Sequence, residues 1–127
     1  MNFIQKLNTA WDSHNSLLCV GLDPNWKKLP VHLKTLPEPI FEFCKAIVDA
    51  THDLVCAYKP QIAYFAALQA EDQLEKTLNY IRETYPHIPI ILDSKRGDIG
   101  NTSTRYAKAF FEDLQFDSIT IAPYMGK

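Results

Sequence analysis

Residues 88–103 read IPIILDSKRGDIGNTS. The stretch opens with a short, largely apolar run at 88–92 and then changes abruptly to the charged side chains of Asp93, Lys95 and Asp98. An apolar run without polar alternation is typical of a strand that is buried on both faces, and such strands occur mainly in parallel sheets. The stretch therefore predicts a buried parallel strand whose carboxyl end carries a group of charges.

Three other segments share this short, apolar character, and helical patterns lie between the predicted strands. The additional predicted strands are LLCVGL at 17–22, LVCAY at 54–58 and SITIA at 118–122. The predicted helices cover residues 2–13, 39–50, 71–85 and 101–112, with Asn101 or Thr102 as the cap of the last one. Regular alternation of strands and helices predicts an α/β architecture that is built from repeated βα units.

Repeated βα units form either an open doubly wound sheet or a closed barrel. The doubly wound nucleotide-binding folds usually carry GxGxxG after the first strand, whereas here Leu22 is followed by DPNWKK. A (β/α)₈ barrel takes about 250 residues, and this chain has 127. If the repeated units close into a barrel, the four predicted strands of residues 1–127 are therefore the first half of one.

Composition excludes several classes of protein. With 13 Lys and Arg against 15 Asp and Glu, the formal charge is −2, which argues against a nucleic-acid partner. No apolar run approaches the roughly 18 residues of a membrane-spanning helix, and the first residues lack a signal-peptide pattern. Cys19, Cys44 and Cys56 are odd in number and form no CxxC motif. We therefore expect a reduced, cytoplasmic protein without a membrane segment.

Charged side chains follow the predicted strands at comparable positions. They are Asp23, Lys59, Asp93, Lys95 and Asp98. Because the carboxyl ends of parallel strands form one rim, we expect these charges to converge there. A lysine between carboxylates keeps its proton, so it is suited to stabilise a carbanion and to protonate it. Taken singly, Asp93 and Lys95 are equally explained by a surface ion pair at a loop. Asp23 alone is better explained as the start of a turn before a proline, and Lys59 alone as a solvated residue before a proline.

Four motifs of the chain resemble orotidine 5′-phosphate decarboxylase, and most closely its branch of longer chains with a KRGDIG motif. They are LCVGLDP at 18–24, AYKPQIAYF at 57–65, ILDSKRGDIGNTS at 91–103 and TIAPYMG at 120–126. They occur in the order of the family and extend over the whole chain. The third is highly specific, whereas Ala122 stands where this branch would carry Asn.

The resemblance implies an α/β fold, a (β/α)₈ TIM barrel, that works as a homodimer without a metal or an organic cofactor. Residues 1–127, with about four strands, would then be the N-terminal half of this single domain. It implies a carboxy-lyase that converts orotidine 5′-monophosphate to UMP and CO₂ in de novo pyrimidine biosynthesis. The family's phosphate-binding groups and most of its pyrimidine contacts correspond to positions beyond Lys127. We therefore expect residues 1–127 alone to have little or no activity.

The resemblance also implies catalytic roles for particular residues. Lys95 matches the proton donor to the reacting carbon C6. Lys59 and Asp93 match the other members of the charged array beside that carbon. Asp98 matches the residue that enters this array from the partner subunit.

Further residues match positions that bind the substrate. Asp23 matches a ribose contact that it shares with Lys59. Thr102 matches a residue that reaches the neighbouring subunit's substrate together with Asp98. Ile99 lies between them in sequence and matches a position lining the pyrimidine pocket.

Two alternatives stay open from the sequence. One is a metal-dependent sugar-phosphate decarboxylase or aldolase on the same scaffold, since these relatives share the Asp-x-Lys-x-x-Asp pattern. The other is a non-catalytic, truncated half barrel, because unpaired sheet edges favour association with another chain. Sensitivity of any activity to a chelator separates the first alternative from a metal-independent decarboxylase.

Overall fold

The computed structural model describes residues 1–125, so Gly126 of the TIAPYMG motif and Lys127 lie outside the described part. Strands and helices alternate along the chain, which confirms the α/β prediction. The helices are α1 Phe3–His14, α2 Pro39–Thr51, α3 Ile62–Ala66, α4 Glu71–Thr84 and α5 Gly100–Ala107, the last continuing as a π-helical turn over Lys108–Asp113. The strands are β1 Cys19–Leu22, β2 Ala57–Pro60, β3 Ile91–Leu92 and β4 Ser118–Ile119.

The strands lie side by side in chain order, and all are parallel. In the β1–β2 pair, Gly21 lies opposite Lys59. β3 pairs with β4 in the same sense. A parallel bridge from Gln61 to Asp93 connects the two pairs. This order, β1-β2-β3-β4, is the one that consecutive βα units form in the wall of a barrel.

The two faces of the sheet differ in character. The outer face packs against α2 and α4 and forms the main core, whose strand side chains are Leu22, Tyr58, Ile90 and Leu92. Because side chains alternate along a strand, Gly21, Lys59 and Asp93 lie on the inner face. At the amino ends of the strands, Ala10 of α1 packs against Cys56 and Ala57. The fold thus leaves the inner face open at the carboxyl ends of the strands.

The predicted strand at 54–58 is displaced in the structure, where β2 starts at Ala57 and includes Lys59 and Pro60. Leu54 instead lies in the turn after α2 and is 53% exposed. Pairing with β1 sets the boundary, because Cys19 aligns with Ala57. The other predicted strands are likewise shortened, because the apolar runs extend beyond the paired residues: Leu17 and Leu18 before β1 are 77% and 48% exposed, and Ile121 after β4 is 63% exposed.

The helix predictions hold for α1, α2 and α4 to within a residue or two, but α3 was not predicted. Helix α3 is a single short turn of helix that follows β2. The Gln61 side chain caps its amino end by accepting from the Ala63 N–H. The predicted cap of α5 is wrong: the helix begins at Gly100, so Asn101 and Thr102 lie inside its first turn. Gly100 has a φ of +52°, a conformation that a residue without a Cβ adopts without strain.

No helix among the described residues has the length and apolarity needed to cross a bilayer.

Asp117 connects three parts of the chain at the amino ends of the strands. Its carboxylate accepts from Lys6 Nζ of α1 at 2.9 Å and from the Ile90 N–H at 2.8 Å. The Asp117 N–H in turn donates to the Ile90 carbonyl at 3.1 Å. One side chain therefore fixes β4 beside β3 and holds α1 across the end of the sheet.

Asp117→Ala is expected to lower the free energy of unfolding by about 1–3 kcal/mol, because the Ile90 N–H lies in the core and would lose its acceptor. Asp113→Ala is the matched control, since Asp113 pairs with Lys108 in solvent at 59% and 60% exposure. Asp113→Ala is expected to lower the free energy of unfolding by less than about 0.5 kcal/mol. Urea unfolding of both variants checks this, and equal losses would contradict the anchoring role of Asp117.

Candidate active site

A cluster of opposite charges occupies the inner face at the carboxyl ends of β2 and β3. Asp93 Oδ2 accepts from Lys59 Nζ at 2.7 Å, and Asp93 Oδ1 accepts from Lys95 Nζ at 2.5 Å. The Asp93 side chain is only 11% exposed, whereas those of Lys59 and Lys95 are 32% and 64% exposed. One nearly buried carboxylate thus holds two ammonium groups whose outer sides face open space.

The strands place these side chains. Lys59 lies in β2 on the inner face, and Asp93 follows β3 directly, where its N–H donates to the Pro60 carbonyl at 2.9 Å. The chain then turns sharply, and Lys95 has a φ of +47°. A non-glycine residue in this left-handed region costs roughly 1–2 kcal/mol. Such strain persists where the surroundings fix it, which is frequent at functional sites.

The electrostatics follow from these contacts. Hydrogen bonds from Lys59 and then Lys95 hold the pKa of the Asp93 carboxyl well below its ordinary value, against the opposing effect of burial. The hydrogen bond to Asp93 raises the pKa of Lys59, and the charge of Asp23 acts in the same direction. At neutral pH the cluster therefore contains an ionised Asp93 and a protonated Lys59.

Asp23 lies beside this cluster without a direct hydrogen bond to it among the described contacts. It follows β1, and its carboxylate folds over Gly21. A Cβ built on Gly21 would lie 3.3 Å from Asp23 Oδ1, which is tighter than ordinary packing. Because Gly21 has no side chain, the Asp23 carboxylate can lie on the inner face near Lys59, where the rim of charges was expected.

The other candidate residues lie apart from the cluster. Asp98 Oδ1 accepts from the Ile99 N–H at 2.7 Å and makes no described contact with Asp93. Ile99 is 65% exposed, and Thr102 is exposed on α5. Asp98 and Ile99 border a groove of about 540 Å³ between α5 and the end of β4. Within one chain, the predicted convergence therefore holds for Asp23, Lys59, Asp93 and Lys95, and not for Asp98.

The structure adds Thr120, which the sequence analysis left without a role. Its hydroxyl donates to Asp93 Oδ1 at 2.9 Å. Thr120 Oγ1 in turn accepts from the Ser94 and Lys95 N–H groups, each at 3.0 Å. Thr120 lies inside the predicted strand at 118–122, so no local pattern distinguished it from an ordinary packing residue.

Other side chains near the cluster offer no metal site or activated thiol. Among residues 1–125, no group of three or more His, Cys, Asp or Glu side chains is arranged to hold a metal ion. Cys19 lies on the inner face near Lys59, and burial raises the pKa of its thiol. A raised pKa keeps Cys19 protonated at neutral pH, which disfavours its action as a nucleophile.

Comparison with protein families identifies the group to which the chain is related. The model of the orotidine 5′-phosphate decarboxylase / HUMPS family matches residues 16–127. The chain belongs to this family. The match includes β1 to β4 and every residue of the charged cluster, so the resemblance seen in the motifs is confirmed.

Individual relatives agree with this family membership. A protein of Cellvibrio japonicus named orotidine 5′-phosphate decarboxylase is 61% identical over 99% of this chain and 47% of its own length. The protein of the same name from Dechloromonas aromatica is 61% identical, covering 100% of this chain and 47% of the relative. The chain thus spans about half the length of the curated relatives it matches.

A solved structure of Leishmania donovani OMP decarboxylase superposes with a TM-score of 0.76 at 35% identity. It covers 99% of this chain, which in turn covers 46% of that protein. The four parallel strands of this family member therefore form half of a TIM barrel, as the resemblance implied.

The stability of the chain should depend on Asp93 in a defined range of pH. Because the folded-state pKa of Asp93 lies below its ordinary value, its stabilising effect is complete above the ordinary value of 3.8. It is lost as the pH falls further, towards the folded-state pKa. Asp93→Asn removes this effect, so its stability deficit relative to wild type should be largest above about pH 5 and shrink at lower pH.

Chemical denaturation between about pH 6 and pH 2.5 measures this difference. Asp113→Asn is the control, because Asp113 forms a solvent-exposed pair and its deficit should stay near zero. A deficit for Asp93→Asn that is constant over the whole range would contradict the assigned ion pairs.

Proposed function

We propose that the protein catalyses the decarboxylation of orotidine 5′-monophosphate to UMP and CO₂, the carboxy-lyase step of de novo pyrimidine biosynthesis. Residues 1–127 would be half of a single barrel domain and supply its charged catalytic array. The observation that carries the proposal is Asp93 between the ammonium groups of Lys59 and Lys95 at 2.7 and 2.5 Å. The names of the relatives at 61% identity support the choice of substrate.

The array suits this chemistry because the reaction develops negative charge on a carbon atom without an electron sink. When the bond between C6 and the substrate carboxylate breaks, the electron pair stays on C6 and CO₂ leaves. The Lys95 ammonium stabilises that charge and then transfers a proton to C6. Asp93 stays ionised, orients Lys95 and keeps Lys59 protonated. No metal or organic cofactor enters these steps.

Asp23 and Lys59 are proposed to bind the substrate ribose. Both lie at the same rim, and Lys59 Nζ is held by Asp93, which leaves its remaining N–H groups available to a ligand hydroxyl. Binding energy from parts of the substrate far from C6 then contributes to orienting the reacting bond.

The test uses a completed barrel, defined as this chain followed by the part of the Cellvibrio japonicus relative that lies beyond the matched region. Turnover is followed as loss of orotidine 5′-monophosphate absorbance with a chelator present. We expect turnover that the chelator does not reduce. Absence of turnover, while the Cellvibrio japonicus protein is active under identical conditions, would contradict the proposal. Loss of turnover only with the chelator would favour a metal-dependent relative.

Lys95→Ala in the completed barrel should lower kcat by about 10²-fold or more, because it removes the proton donor and its charge. Lys108→Ala is the matched control, since Lys108 lies on the surface and pairs with Asp113. Circular dichroism verifies that both variants fold. A kcat within a few-fold of the unsubstituted protein would refute the role of Lys95.

We propose further that the protein acts as a homodimer in which Asp98 and Thr102 reach the partner's site. Support comes from their position: Asp98 makes no described contact with the cluster of its own chain, and Thr102 is exposed on α5. Ile99, 65% exposed between them, is proposed to line the pyrimidine pocket. Each chain holds Asp98 and Thr102 away from its own charged array. A second copy of the chain must therefore supply them to that array.

Mixing two inactive variants tests this arrangement. In a mixed dimer of Lys95→Ala and Asp98→Ala chains, one site carries both substitutions and the other carries neither. Equal mixing with subunit exchange should therefore restore about a quarter of the unsubstituted activity. If Asp98 instead serves the site of its own chain, every site stays defective and mixing restores nothing.

A cytoplasmic location is also proposed. Cys19, Cys44 and Cys56 are all free thiols, and unpaired cysteines are typical of proteins in reducing compartments.

A further inference from the structure

We propose that Thr120 is a positioning residue for the decarboxylation, with its hydroxyl fixing the Asp93–Lys95 segment in the conformation that the charged array requires. Thr120 directly follows β4 (Ser118–Ile119), and Asp93 directly follows the neighbouring strand β3 (Ile91–Leu92). The expected effect on kcat rests on the proposed function. The role of the hydroxyl in fixing the Asp93–Lys95 segment rests on the geometry alone.

The Thr120 hydroxyl uses its whole hydrogen-bonding capacity on this segment. A threonine hydroxyl has one donor and two acceptor positions. Thr120 Oγ1 accepts from the Ser94 N–H and the Lys95 N–H at 3.0 Å each, and donates to Asp93 Oδ1 at 2.9 Å. Because both acceptor positions are occupied, the hydroxyl hydrogen is directed at the carboxylate. Thr120 therefore favours an ionised Asp93, which can only accept.

The backbone of Thr120 is itself held firmly. Its N–H donates to the Leu92 carbonyl at 2.9 Å, and its carbonyl accepts from Ser94 Oγ at 3.0 Å. The hydroxyl thus projects from a fixed point in the sheet. The Thr120 hydroxyl, together with the Ser94 hydroxyl of the loop itself, therefore defines the turn after Asp93.

This turn contains the strained residue of the site. Lys95 has a φ of +47°, and its side chain is 64% exposed. Neither burial nor glycine-like freedom therefore explains its conformation. Two hydrogen bonds compensate for the strain, one from the Lys95 N–H to Thr120 Oγ1 and one from Lys95 Nζ to Asp93 Oδ1. Without the hydrogen bond to Thr120, the Lys95 backbone is free to leave this conformation, and the ammonium group is held less firmly opposite Asp93.

Thr120→Val is the decisive substitution, because it keeps the branched shape and removes the hydroxyl. In the completed barrel, we expect kcat to fall about tenfold or more while KM changes less than about threefold, since hydrogen bonds to charged groups matter most where charge develops. Thr120→Ser, which keeps the hydroxyl, should recover most of the loss. Thr77→Val is the matched control: Thr77 is buried in α4 and donates to the Gln73 carbonyl, so its removal should leave kcat unchanged.

A second readout does not depend on catalysis. In the 127-residue chain, NMR titration of the Asp93 carboxyl carbon should show a higher pKa in Thr120→Val than in wild type, with Thr120→Ser close to wild type. Lys59, Lys95 and Asp23 are the charged groups around this carboxyl and are the same in all of these variants. If the unsubstituted completed barrel is inactive, the proposed function fails and the titration alone decides the role of Thr120.

Three results would overturn the inference. They are a kcat of Thr120→Val within twofold of the unsubstituted protein, equal losses in Thr120→Val and Thr120→Ser, and an unchanged pKa of Asp93 in Thr120→Val. Where Thr120→Val does not fold, Thr120→Cys replaces it, because a thiol is a weak donor and acceptor of similar size. We then expect kcat to decrease from the unsubstituted protein to Thr120→Ser and further to Thr120→Cys, and any other order counts against the proposal.

Discussion

One carboxylate, Asp93, holds two ammonium groups at the carboxyl end of a parallel sheet, and the other features of the site follow from that constraint. A carboxylate with little access to water is stable as an anion only where positive groups and hydrogen-bond donors surround it. Lys59 and Lys95 supply the charge, and Thr120 supplies a further donor. In return, Asp93 keeps the lysines at fixed positions on the inner face.

The sheet makes this arrangement available because parallel neighbours bring residues that are distant in sequence to one rim. Lys59 and Asp93 are 34 positions apart, and Asp93 and Thr120 are 27 apart. At the opposite ends of the strands, Asp117 joins Lys6 of α1 to the Ile90 N–H. Stability is thus concentrated at the amino ends and in the helix-facing core, which leaves the carboxyl ends to carry strained and charged residues. This division between the two ends is general for folds built from βα units.

The sequence predicted much of this, and the limits of that prediction have physical causes. Apolar runs located four strands because the strand side chains that face the helices are apolar. They misplaced β2 because pairing of Cys19 with Ala57, and not hydrophobicity, determines where that strand begins. Lys59, Asp93 and Lys95 were found because charges after apolar runs are conspicuous. Thr120 was missed because a threonine in a strand-like segment has no local pattern that distinguishes hydrogen bonding to a neighbouring strand from ordinary packing.

A double-mutant cycle measures how strongly Asp93 and Lys59 interact. The free energy of unfolding is determined at neutral pH for the chain, for Lys59→Met, for Asp93→Asn and for the double variant. Direct contact between Lys59 and Asp93 predicts a coupling free energy of about 0.5–3 kcal/mol, the range found for residues in contact. Effects that add to within about 0.3 kcal/mol, as they do for distant residues, would contradict it.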